Sequence, residues 1–159
     1  MVSSQPSLDA LYQQAWSANT SPKVKHFLWR CISNTLPVAG NMVKRYIAKD
    51  SSCSRCGGSE EYINHVLFQC PYARRIWADS PFHPPPFGIW SASLHTNLQW
   101  VLNLTKEFPE EIVDADLVPW LLWRIWKNMN EFIFIGKDYD ILATIDKAKE
   151  DATKWKNRE

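Results

Sequence analysis

Four side chains limit what this chain can fold into more than any other feature. Cys53, Cys56, His65 and Cys70 follow the spacing Cys-x2-Cys-x8-His-x4-Cys and use three of the four cysteines. Three thiolates and one imidazole make a complete tetrahedral set for one structural Zn²⁺, with no vertex left for water or substrate. A closed site of that kind builds a fold and runs no reaction. Binding energy at such a site is folding energy, which the stretch from Ala48 to Trp77 needs because it has few core residues of its own. The competing reading makes Cys70 a buried thiol and His65 a helix histidine. The regular spacing argues for the metal. Cys31 falls on an apolar helix face and reads as core packing.

The rest of the chain reads as helices, and the expected fold is mainly α: a small helical zinc-binding domain followed by a helical C-terminal extension. Leu8, Leu11, Tyr12, Ala15 and Trp16 recur at helical spacing behind Ser7. Ser21 and Pro22 are a natural cap and first residue for a second helix. Val24, Phe27, Leu28, Cys31 and Ile32 share its apolar face. Val43 and Ile47 would anchor a third helix. Cys53 to Gly58 reads as a tight knuckle turn. Ser59 to Gln69 reads as a short helix carrying His65, capped by Ser59 with Glu60 and Glu61 in its first turn. Pro71 opens another through Ile76 and Trp77. Pro81, Pro84, Pro85 and Pro86 stiffen a connection. Helices are then expected over 93–106 and 117–134, with Gly136 as a stop, and from near Asp138 to the end. The boundaries follow: a zinc-binding domain at 1–80, a Pro-rich connection at 81–90 and the extension at 91–159.

Net charge is only +1, so the total does not announce a partner, but its distribution says more. From Ser21 to Lys49 there are six Lys or Arg and no acid. Such a segment is either a footprint for phosphate or a solvated face. Lys23, Lys25, Arg30, Lys44, Arg45 and Arg55 are the candidate phosphate contacts, with Arg74 and Arg75 extending them. Trp29, at the edge of the apolar face beside Lys25 and Arg30, is the best candidate for stacking on an unpaired base. The other tryptophans read first as core. No apolar run approaches a membrane span, and the N-terminal residues lack the core of a signal peptide. An intracellular chain, nuclear or cytoplasmic, is expected, with no membrane and no small-molecule substrate.

Three stretches carry a resemblance. They are Pro22-Lys23-Val24-Lys25-His26-Phe27-Leu28-Trp29-Arg30, then Leu36-Pro37, then Cys53-Ser54-Arg55-Cys56-Gly57 with the run from Glu60 through His65 and Cys70 to Trp77. Together they resemble the zinc-binding domain found C-terminal to the reverse transcriptase of plant non-LTR (LINE-type) retroelements, over roughly Leu11 to Trp77. The run from Trp120 to Phe134 is similar to the stretch that precedes an RNase-H-like domain in related plant proteins. Met129 stands where Arg is usual, and Tyr62 where Ser or Thr is usual; neither touches a ligand position. The resemblance implies a mainly helical fold, zinc ligand roles for Cys53, Cys56, His65 and Cys70, and help to a polymerase in engaging nucleic acid. It brings no catalytic residue, because no paired-aspartate polymerase motif is present.

Asp138-Tyr139-Asp140 can be imagined as a metal-binding carboxylate pair, but reads first as cap and first-turn acid of the last helix; Asp114 and Asp116 read likewise. No nucleophile elbow or phosphate-cradling glycine motif occurs. The leading expectation is a non-catalytic zinc-stabilised module for RNA or single-stranded DNA. The rival is a protein–protein or homodimer module acting through 117–158. It rests on the broad apolar helix and on the seam Ile141, Ile145, Ala148, Ala152 and Trp155.

Overall fold

The computed structural model describes residues 7–38, 52–58, 62–110 and 114–158. Within them the elements are helical, and no strand occurs among the described residues. Helix α1 is Leu8–Ser17 and α2 is Pro22–Ile32. Ser21 caps α2, its hydroxyl accepting from the Val24 N–H at 3.4 Å, and Pro22 stands where no backbone donor is needed. The third helix expected around Val43 and Ile47 lies outside the described residues.

A π-helical turn, His65–Gln69, leads into α3, Pro71–Asp79. The expected helical segment carrying His65 is therefore present from Ile63 onward, but with a wider winding; its Ser59 cap lies outside the described residues. The helix expected over 93–106 is broken. It runs as α4, Leu94–Leu102, and the single turn α5, Leu104–Glu107. Asn103 makes the break: its side chain donates to the Gln99 carbonyl at 2.7 Å and to Gln14 on α1 at 3.2 Å. An amide that bonds back to the backbone competes with the helix ladder.

Helix α6, Leu117–Ile135, ends at Gly136, whose φ of 68° is the left-handed conformation that glycine adopts freely. Helix α7, Ile141–Lys156, begins three residues later than Asp138. Its cap is Asp140, which accepts from the Ala143 N–H at 2.7 Å. Helices α6 and α7 pack along each other. Ile145, Ala148 and Ala152, three members of the apolar seam, are buried there within the chain.

The core is continuous. Helix α2 packs on α6, α3 on α7, and α1 on α4. The Pro-rich connection is folded onto this core: Phe82 is buried, and the Trp90 ring lies 4.9 Å from Phe68 and 5.5 Å from Trp77. The Trp77 indole donates to the Leu67 carbonyl at 2.8 Å, tying α3 to the π turn. No described helix is long and apolar enough to cross a membrane.

A candidate metal centre and the basic residues around it

The knuckle is built by backbone hydrogen bonds. The Gly57 N–H donates to the Cys53 carbonyl at 2.8 Å, and the Cys53 N–H donates to the Gly58 carbonyl at 3.2 Å. This turn points Cys53 and Cys56 the same way. His65 and Cys70 come from the π turn. In an α-helix, residues five apart lie about 140° apart around the axis. The wider winding closes an i to i+5 bond, from the Cys70 N–H to the His65 carbonyl at 2.7 Å. That bond brings the two ligands toward one face. The four ligand atoms lie within 4.8 Å of one another. The contact between Cys56 Sγ and His65 Nε2 is 3.4 Å. A tetrahedral zinc with ordinary Zn–S and Zn–N lengths requires about 3.6 Å along that edge.

Two further features fit a cation. The Gly58 N–H donates to Cys56 Sγ at 3.3 Å, the kind of outer hydrogen bond that steadies a metal thiolate. A Cβ on Gly58 would sit 3.1 Å from that sulfur, so the close approach depends on glycine. Cys53 and Cys70 share a proton. The hydrogen bond from Cys70 pushes Cys53 down to about 3, against burial and with help from His65. As the donor in that bond, and buried as well, Cys70 is pushed far above the ordinary thiol range. The pair thus favours a thiolate at Cys53, where a divalent ion would bind. Residues 1–77 match the family model described as zinc-binding in reverse transcriptase. Over this stretch the chain is similar to a reverse-transcriptase-type zinc-binding domain.

A protein of Arabidopsis thaliana, named "Putative ribonuclease H protein", is 25% identical over 124 residues, which cover 77% of this chain and 20% of that protein. The chain thus spans about a fifth of that relative's length. No solved structure matches. Cys53, Cys56, His65 and Cys70 are a donor set that would hold one structural zinc, with no ligand needed from outside the chain.

Around the zinc-binding domain the basic residues divide. Lys23 and His26 are exposed on α2, and Lys25 and Arg30 are half-buried. Arg30 gives one N–H to the Thr35 carbonyl at 3.1 Å and has others to offer. Trp29 is 36% exposed and lies in an aromatic row, 6.1 Å from Tyr12 and stacked on His26 at 6.2 Å. Arg74 and Arg75 are exposed on α3, where Arg75 bonds Asp79 at 3.3 Å. Lys44 and Arg45 lie outside the described residues.

Arg55 is a correction to the sequence reading. Its side chain is only 8% exposed and bonds Asp138 at 2.7 Å. Its guanidinium lies 3.8 Å over the Tyr72 ring and 4.5 Å over the Phe132 ring. Two of its nitrogens, Nε and Nη2, are buried without a hydrogen-bond partner. A cation held this way serves the interior and is not presented to phosphate. Asp138, expected at the start of the last helix, is its counter-ion. Nothing local in the sequence links residues 83 positions apart, so this pairing had no signal. Gly58 did have one: two glycines directly after a Cys-x2-Cys pair.

Proposed function

We propose that this chain is a non-catalytic, zinc-stabilised module that binds RNA or single-stranded DNA. The observation that carries the reading is the outer face of α2. It presents Lys23, Lys25 and Arg30 beside the partly exposed Trp29, and the helix has no carboxylate of its own. Cations track a phosphate backbone while an aromatic face stacks bases without regard to sequence. Arg74 and Arg75 on α3 add a second exposed basic pair. The relative's name refers to ribonuclease H, an enzyme class that acts on nucleic acid, which supports the choice of ligand. The zinc is assigned no reaction because its donor set is closed.

The test is binding of a labelled single strand across a salt series. With these five cations engaged, log affinity should fall against log salt with a slope of about −3.5. Negligible binding at low salt would remove the reading. The strand should also be recovered intact after incubation with Mg²⁺; cleavage that survives purification and follows the protein would overturn its non-catalytic part.

A second reading has an observation of its own. Phe134 and Ile135 at the end of α6 are 71% and 69% exposed, and Leu142 on α7 is exposed as well. These residues suit a protein partner or a second copy. The seam on α7 suits it less, since Ile145, Ala148 and Ala152 are already covered by α6. Light scattering on the native chain and on Phe134→Ser separates the readings: a dimer lost in the variant favours this one.

A further inference from the structure

We infer that the cleft between α2 and α6 is a slot for a single unpaired nucleobase, formed jointly by the zinc-binding domain and the C-terminal extension. The inference rests on the nucleic-acid reading above and adds to it the place where a base is held. Phe27 of α2 and Trp123 and Trp126 of α6 form the walls, and Lys23, His26 and Arg30 line the rim. The volume is about 200 Å³. That is below the ~300 Å³ at which pockets for whole small ligands begin. The cleft suits a flat ring, with sugar and phosphate left outside beside the rim.

The aromatic geometry is specific. Phe27 meets Trp123 edge-on, with centroids 5.5 Å apart and planes at 84°, and Trp126 lies 5.4 Å from Trp123. Neither of these rings lies parallel to Trp123. Two long lysine side chains lie over it, Lys23 Nζ at 5.2 Å and Lys127 Nζ at 5.9 Å from the ring centroid. Stacking a base is worth more than an exposed ammonium–ring contact. An arriving base displaces an ammonium, and the displaced charge moves onto the strand's phosphate. No carboxylate is found among the described residues that line the slot, so its charge suits a polyanion. Glu131 and the apolar end of α6 lie outside it, on the next stretch of surface.

The test uses the full chain and two labelled strands of equal length, oligothymidylate and a version abasic at its central positions. The base-bearing strand should bind about 5- to 100-fold tighter. Trp123→Leu should abolish that preference and leave abasic binding unchanged. Equal affinity for the two strands overturns the slot while leaving the phosphate-binding reading in place. A preference that survives Trp123→Leu also overturns it, placing the bases elsewhere, such as on Trp29. Absence of binding to either strand at low salt removes the slot and the nucleic-acid reading together. Should Trp123→Leu fail to fold, photocrosslinking of 4-thiothymidine strands to the native chain decides. Adducts on the peptide carrying Trp123 support the slot, and adducts confined to other peptides overturn it.

Discussion

Cys53 and Cys70 favour a metal thiolate, because the Cys70 thiol donates a hydrogen bond that lowers Cys53 while its own proton is held more tightly. Zinc must displace the Cys70 proton. Loading therefore releases acid, and affinity falls as pH falls. Titration calorimetry in two buffers of different ionisation enthalpy reads the released protons directly; equal heats would contradict it. Cys70→Ser should remove zinc, seen by elemental analysis, together with much of the helical circular dichroism. Gly58→Ala is gentler. Its methyl would crowd Cys56 Sγ and shift the N–H that supports it. Zinc affinity should drop about 10-fold, the lower range for an outer-shell change, as read by competition with a chromogenic chelator. Cys31 behaves oppositely to the ligands. Full burial pushes its thiol far up, so an alkylating reagent should reach it last, and only on unfolding.

Helices α6 and α7 are joined by more than apolar packing. Arg124 donates to Asp151 through two nitrogens, one at 2.9 Å, with both side chains largely buried. Breaking a buried pair from one side costs about 3–5 kcal/mol; partial exposure here reduces the expectation for Arg124→Ala to about 2 kcal/mol. Asp151→Ala should cost a similar amount, and the double variant much less than the sum; full additivity in urea melts would show the pair to be idle. Nearby, the Tyr72 hydroxyl meets the Thr144 hydroxyl at 2.7 Å and the Asn128 amide, linking α3, α6 and α7. Most of these helices were legible in advance because caps and breakers mark their ends: Ser21 and Pro22, Cys70 and Pro71, Gly136. The π turn was not. It brings His65 and Cys70 toward one face through an i to i+5 bond, which helical periodicity does not encode. The break at Asn103 was missed for a like reason, since half of its partners lie on α1, 89 residues away. The ligands themselves were legible because zinc sites impose spacing on sequence. The Arg55 pocket was invisible because its partners are far apart in the chain and of ordinary types.

Across the whole molecule, the zinc knuckle and the C-terminal helices form one body, joined through Arg55. Its charge is answered by Asp138, and its faces are covered by Tyr72 and Phe132. Removing zinc should therefore loosen more than the knuckle. Amide hydrogen exchange after chelation should quicken in Ile141–Lys156 as well as around Cys53 and Cys70. Protection of the last helix that stays at its original level would show the two to be independent. Arg55→Met is the matching substitution, keeping much of the volume without the charge. It should lower the melting temperature while leaving zinc content intact. Arg55 also bears on how the module can be borrowed. A length of chain cut at the prolines and grafted onto another protein would carry every metal ligand, yet leave behind the aspartate and the phenylalanine that its arginine needs. Such a transplant would arrive with an unmet cation beside its metal, and would have to bring the final two helices with it to be sound.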